Sequence, residues 1–353
     1  MVKNFSNLMK KKNALLIIAG FFVFFVSFYF WSVREIHIPK SNVLGKEAIF
    51  LVKKGDDAGQ ISKNLKKSGI INYSFLFKLY VIAKNISGGL KAGNYLLSDR
   101  MTIPQIAKKI FLGEVIKKQI TIIGGWKIDD IGYNLEKQGI LKAKDIFEII
   151  GHPYLEQQKP IKDFSNEFDF LKDKPKDLTL EGYLFPDTYE VFPDQDVEQI
   201  VKNILANFDK KLTLKLREEI KKQKKSIFEI ITVASLIEKE DNDIEDKKIV
   251  SGIIWKRLKI NMPLQIDATI SYITDKNTRW ISTPETKIDS LYNTYKYKGL
   301  PKGPICNPGI DSIMAAIYPK QTSYLYYLAT PNRITIFSKT LEEHNVAKAK
   351  YLR

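Results

Sequence analysis

Ser226-Ile-Phe-Glu-Ile-Ile-Thr-Val-Ala-Ser-Leu-Ile-Glu-Lys-Glu240 gives the clearest structural instruction in this chain. Ser226 followed by Glu229 is a capping box, which fixes where a helix begins. At about 100° per residue, Ile227, Ile231 and Ala234 fall on one stripe, and Glu238 lands in the middle of it. Glu240 turns to the polar side with Glu229. A carboxylate among apolar side chains is costly unless it is paired or protonated. Desolvation raises its pKa toward neutrality, which a general acid working near pH 7 requires. Two readings stay open at this point: a catalytic acid, or a buried ion pair with a base on the next helix such as Arg257.

Further helical patterns surround this segment at Val197–Lys222, Asp246–Lys259, Gly309–Tyr318 and Leu341–Leu352. Strand-like runs lie at Ser323–Ala329 and Arg333–Phe337, and an irregular stretch rich in Pro, Gly, Asn and Tyr covers Ile273–Pro308. Together they predict one larger mixed α/β unit over residues 119–353. A smaller α/β module is predicted over residues 47–118. It has strands at Glu47–Lys53 and Leu90–Leu97, helices at Asp57–Lys67 and Phe75–Lys84, and a capping-box start at Thr102 for a helix ending near Phe111. The fold class is α+β. The segment Asn64-Leu-Lys-Lys-Ser-Gly-Ile-Ile71 recurs seventy residues on as Asn134-Leu-Glu-Lys-Gln-Gly-Ile-Leu141. Each copy closes a helix with a glycine and enters an apolar segment. A duplicated helix–turn element and coincidence over eight residues both remain open.

Residues Ala14 to Val33 carry no charge over twenty residues, about the length needed to cross a bilayer core. Lys3, Lys10, Lys11 and Lys12 precede them, so residues 1–13 are expected in the cytoplasm. A cleaved signal peptide would have a shorter apolar run ending in small residues, whereas this one ends in Phe-Tyr-Phe-Trp. Residues 34–46, with Pro39, Ser41, Asn42 and Gly45, read as a tether. Everything beyond is expected outside the cytoplasm, which argues against nucleic acid as the partner. The net charge of +16 comes mostly from scattered Lys, which reads as a solvated surface more readily than as a patch for anionic lipid or an anionic wall polymer, and decides nothing alone. One cysteine, Cys306, excludes an intramolecular disulfide or a C-x-x-C site. His37, His152 and His344 are scattered, with no H-E-x-x-H or G-x-S-x-G, so neither a metal nor another cofactor is expected.

Two further segments carry polar chemistry. Leu180-Glu-Gly-Tyr-Leu-Phe-Pro-Asp-Thr-Tyr189 sets Glu181 and Asp187 among Tyr183, Phe185 and Tyr189, which reads either as a sugar-gripping surface or as a half-buried strand. The third signal is Leu264-Gln-Ile-Asp-Ala-Thr269, then Tyr292-Asn-Thr-Tyr295, then Gly299 to Gly309. It places Gln265, Asp267, Thr269, Asn293 and Asn307 on a loop stiffened by glycine and proline. Cys306 beside Asn307 has no neighbouring His to activate it as a nucleophile.

In order and spacing, these segments resemble the YceG-like (MltG) family of endolytic murein transglycosylases. The resemblance implies that Glu238 is the catalytic acid and that Glu181, Gln265, Asp267, Tyr292, Asn293 and Asn307 line a substrate groove. It also implies that the first module is LysM-like and binds peptidoglycan. The substrate would be peptidoglycan glycan strands, cut without water between N-acetylmuramic acid and N-acetylglucosamine to leave 1,6-anhydro ends and limit strand length. The location would be the inner membrane, with peptidoglycan synthases (penicillin-binding proteins) as neighbours. A non-catalytic wall-binding scaffold is the rival from another class. A hydrolase pairing Glu238 with Glu181 or Asp187 is a third possibility, since hydrolases normally need two carboxylates. The chain departs from the family pattern at Gly124, Ala268, Leu291, Lys302 and Thr335.

Overall fold

The computed structural model describes all residues except 1, 42–44, 153–159, 193–194, 241–242, 277–280, 331, 333 and 352–353, with side chains described from Leu15 onward. Asn42 of the expected tether, Arg333 at the start of an expected strand and Leu352 at the end of an expected helix lie outside the described residues. The chain folds as two compact units, Met1–Lys118 and Gln119–Arg353.

In the first unit, helix α1 (Val2–His37) is long and apolar enough over Leu15–His37 to cross a membrane. It does not stop at Val33. Ser32 and Ile36, one turn apart, are 5% and 8% exposed, and Ile36 enters the module's core. The tether expected from residue 34 therefore starts only after His37, because burying Ile36 extends the helix into the module. Strand β1 (Glu47–Val52) pairs antiparallel with β2 (Gly93–Ser98), Glu47 facing Ser98 and Val52 facing Gly93. Between them run α2 (Ala58–Lys67) and α3 (Ser74–Ala83), and α4 (Ile103–Leu112) follows β2. The capping box forms as the sequence predicts. The Thr102 side chain accepts from the Gln105 amide, and the Gln105 side chain accepts from the Thr102 amide. Ile61, Leu65, Phe77, Val81, Tyr95 and Ile106 are sealed in the core this creates.

The second unit opens within β3 (Lys118–Thr121), which is hydrogen-bonded to β4 (Thr188–Val191). Between these strands lie α5 (Ile128–Lys137) and α6 (Ala143–Ile150). Six helices then follow: α7 (Val197–Lys211), α8 (Leu214–Lys222), α9 (Ile227–Glu240), α10 (Ile244–Lys259), α11 (Asp267–Thr274) and α12 (Ile310–Ile317). A hairpin of β5 (Tyr326–Ala329) and β6 (Thr335–Ser338) and the helix α13 (Leu341–Tyr351) complete it. The single helix expected over Val197–Lys222 is two. Thr213 accepts from the Leu216 amide as an N-cap, while Arg217 reaches back to the carbonyls of Leu212 (2.7 Å) and Asp209 (3.0 Å) and satisfies the end of α7. Leu180–Phe185 forms a turn, and strand begins only at Thr188. Helix α9 is buried on nearly every side, Ile230 through Ile237 all lying in the core. A helix apolar all round must be surrounded by protein, and α8, α10, α11 and α12 all pack against it. Glu238 sits in its last turn, where the helix leaves the core.

Candidate active site

The two oxygens of Glu238 have different surroundings. Oε2 accepts a hydrogen bond from the Ser312 hydroxyl of α12 and lies 3.3 Å from the Lys247 ammonium of α10. Oε1 accepts no hydrogen bond from any described residue. Its near neighbours are backbone: a Cβ on Gly124 would stand 2.5 Å from Oε1, and one on Gly309 would stand 3.7 Å away. Two glycines thus leave open the space beside this oxygen. The Glu238 side chain is 13% exposed, partly screened but not sealed.

The cationic partner is Lys247, not Arg257. Helix α10 starts just after α9 ends, capped by Asp243, so its first turns pass the last turn of α9. Arg257 lies ten residues farther along, about 15 Å by helix rise. There it donates to the carbonyls of Leu264 and Leu325, each at 2.7 Å. Glu240, expected on the polar face, is half-buried; its carboxylate faces the Tyr327 hydroxyl and helps raise that group's pKa well above its usual value, after burial as the main cause.

Three loops are fastened around the open oxygen, and Asn307 joins them. Its backbone exchanges hydrogen bonds with the Trp126 carbonyl (2.8 Å) and the Gly125 amide (2.9 Å). Its side chain donates to the Trp126 carbonyl and to Glu181 Oε1, each at 3.0 Å, and accepts from the Leu184 amide at 2.8 Å. Glu181 is 2% exposed, and both of its oxygens take the Ile128 amide, at 3.2 and 3.3 Å. It therefore satisfies the start of α5. Burial pushes its pKa up to about 8. Gly182 at φ +90° allows a packing contact that no side chain would permit, because a Cβ there would meet Pro304 and Ile231 below 3 Å. The Lys239 ammonium caps the Gly125 carbonyl at 3.1 Å, and Ser235 Oγ takes the Ile305 amide at 3.0 Å, so α9 itself anchors two of the loops.

The residues that the resemblance placed in a groove thus divide into two sets. Glu181, Asn293 and Asn307 are buried. Asn293 donates to the carbonyls of Thr286 (3.1 Å) and Ile288 (2.7 Å) and accepts from the Tyr295 amide, which shapes its own turn. Gln265, Asp267 and Tyr292 face outward or are half-buried. Gln265 adopts a left-handed φ of 48° and is held by its amide on the Thr294 carbonyl. Asp267, at the start of α11, accepts from the Tyr295 hydroxyl. The Tyr292 ring packs on Tyr272 with centroids 5.0 Å apart. Tyr183, Phe185 and Tyr189 belong to the core, Tyr183 being wedged between Phe170 and Phe208. The Cys306 thiol is sealed, donates to the Ser235 carbonyl, and burial raises its pKa well above the usual value. Ser312, Lys247 and the space at Gly124 were not singled out by sequence reading. A basic residue in the first turns of the helix after α9 is the signal that could have found Lys247.

Fold and site together describe a mixed helix–sheet unit in which three loops meet beside a partly screened glutamate, in a chain whose N-terminal helix is apolar. The chain belongs to the YceG-like family, whose model matches residues 50–350. It is 35% identical to an endolytic murein transglycosylase of Bacillus subtilis over 305 residues, 85% of this chain and 84% of that one. It is 30% identical to an endolytic murein transglycosylase of Streptococcus pneumoniae over 84% of this chain and 57% of the longer relative. A crystal structure of a putative YceG-like protein of Listeria monocytogenes, 34% identical, superimposes with a TM-score of 0.57 over 86% of this chain and all of that one.

Proposed function

We propose that this protein is an endolytic murein transglycosylase anchored by α1, with residues 1–13 in the cytoplasm and the catalytic unit outside the inner membrane, close to peptidoglycan synthases. The observation that carries the proposal is the unequal environment of the two Glu238 oxygens. Oε1, beside Gly124 and Gly309, carries the proton to the oxygen bridging N-acetylmuramic acid and N-acetylglucosamine. As that C–O bond breaks, Ser312 and Lys247 stabilise the carboxylate formed on Glu238. The muramoyl C6 hydroxyl then bonds to C1 and gives its proton to Oε1, which closes the 1,6-anhydro ring and restores the acid. An intramolecular nucleophile needs only this one shared acid/base and gains from proximity.

Neither carboxylate that the hydrolase alternative would pair with Glu238 stands free to act beside it. Glu181 is sealed against α5, and Asp187 is held by Asn207 (3.0 Å), whose hydrogen bond is the main reason its pKa falls. Gln265, Asp267 and Tyr292 remain as the substrate contacts, while Glu181, Asn293 and Asn307 act by holding the loops. The β1–α2–α3–β2 arrangement supports a LysM-like reading of the first module. Digesting purified sacculi with the wild type and with Glu238→Gln tests the assignment. Anhydro-muropeptides from the wild type, and at least about a thousandfold fewer from the variant, are expected. Equal release from both would refute it, and products carrying an added water would convert it to a hydrolase.

A further inference from the structure

Helix α3 is apolar on both sides. Leu76, Phe77 and Val81 point into the core at 1% exposure or less, while Phe75, Leu79 and Ile82 point outward at 43%, 49% and 53%. The outward three are spaced i, i+4, i+7, which puts them on one stripe, and Lys78 is the only charge in the helix. A stripe of this kind on a water-soluble module marks a surface that something covers.

The junction with α1 indicates what covers it. The Phe28 ring stacks on Phe75 with centroids 6.4 Å apart, and Trp31 packs on Phe75 at 6.2 Å and on Tyr73 at 5.2 Å. Phe28 lies five residues inside the end of the uncharged run, about 7 to 8 Å along the helix axis. Phe75 shares that level. Ser32 and Ile36 are locked into the module, so the module cannot swing away from the helix that carries it. Whatever surrounds Phe28 therefore also meets the outward face of α3.

We propose that the Phe75–Leu79–Ile82 face lies in the outer-leaflet interface of the bilayer, with lipid as its partner, so that the N-terminal module is seated on the membrane and not held above it. Lys78 and Lys84 flank the stripe and reach toward anionic headgroups, their stems lying along the apolar surface. Tyr73 and Trp31 sit at the level of an interfacial aromatic belt. The inference rests on reading α1 as a membrane span.

The full-length chain reconstituted into phosphatidylethanolamine–phosphatidylglycerol vesicles tests both readings separately. An environment-sensitive fluorophore is placed by Leu79→Cys, Ile82→Cys, Phe22→Cys or Lys63→Cys, with the native Cys306 buried and unlabelled. Lipids carrying a quencher near the headgroup should quench positions 79 and 82 at least about threefold more than the exposed position 63, while quenchers deep in the chains reach position 22. Quenching at 22 with none at 79 and 82 would overturn the docking and leave the anchor standing. An unquenched position 22 would overturn the anchor and the docking with it. Labels at 79 and 82 that respond to soluble glycan strands but not to lipid would make the face a sugar surface and overturn the lipid assignment.

Discussion

Residues 47–98 and 118–191 follow the same course, strand, loop, helix, turn, helix, strand, but the glycine loop of the second lies against Glu238 and that of the first lies open. The correspondence holds at an offset of seventy residues. Gly55 and Gly125 both turn left-handed, at φ 93° and 81°. The Asp56 amide bonds the Lys53 carbonyl at 3.1 Å, and the Trp126 amide bonds the Ile123 carbonyl at 3.2 Å. At the helix ends, Ile70 returns to the Leu65 carbonyl and Ile140 to the Leu135 carbonyl, both at 3.1 Å, behind Gly69 and Gly139. The difference lies at the helix starts. Asp57 caps α2 locally, its carboxylate accepting the Gln60 amide at 2.7 Å. In the second stretch that position is Lys127, and α5 is satisfied by Glu181 from a segment inserted between α6 and β4. Moving the cap onto the insertion ties the loop before α5 to Asn307, and so places Gly124 and Gly125 against Glu238. In the first stretch, Gly55 faces open space.

The largest expected effect breaks this comparison at its most exposed point. Gly124→Ala puts a methyl group 2.5 Å from Glu238 Oε1, so one of the two must move. Gly124 is not in the left-handed region, so the substitution brings no backbone strain. Release of anhydro-muropeptides should fall by about a hundredfold or more, because about 1 Å of displacement at a reacting group costs that much. The melting temperature should change little. The equivalent change in the first stretch, Lys54→Ala, should leave both unchanged. Undiminished activity in Gly124→Ala would mean that Oε1 is not the working oxygen.

The echo Asn64–Ile71 against Asn134–Leu141 was legible in the sequence because a helix end is written locally, in a glycine and the apolar residues around it. Glu238 was legible as an acid amid an apolar helix, although the reason it is reachable is its place in the last turn of a helix buried on all sides. The roles of Glu181 and Asn307 were not legible. An aromatic-flanked acid and a loop asparagine look alike whether they face solvent or cap a distant helix, and the partners of Glu181 lie 53 and 126 residues away in sequence. Ser312 escaped notice for the same reason: its meaning comes from the packing of α12 on α9 and not from its own neighbours.

A second effect sharpens the contrast between a local cap and an imported one through pH. Burial holds the Glu181 pKa at about 8, well above an unfolded glutamate. Between about pH 4.5 and 8 the folded state therefore binds more protons than the unfolded state, so stability falls as pH rises through that window. Glu181→Gln keeps an oxygen for the Ile128 amide and for Asn307 and removes the proton. The variant's stability curve should be flatter from pH 5 to 8, by up to about 1.4 kcal/mol per pH unit. Denaturant titrations of both proteins at several pH values would measure this. An unchanged slope would show that Glu181 is ionised in the fold.

The smallest effect lies in the first stretch. Asp57→Ala removes the side chain that accepts the Gln60 amide, a loss worth about 1 kcal/mol at an N-cap. Hydrogen exchange of the first amides of α2 should speed up about fivefold as local opening becomes easier. Lys127→Ala, at the matching position, should leave the first amide of α5 protected, because Glu181 and not residue 127 holds it. The pairing of Lys127 with Asp275 would be lost, but Asp275 is largely exposed, and an ion pair screened by solvent contributes little. Equal acceleration in the two helices would mean that α5 relies on its own N-terminal residues as α2 does. The insertion would then no longer account for how the glycine loop comes to rest beside Glu238.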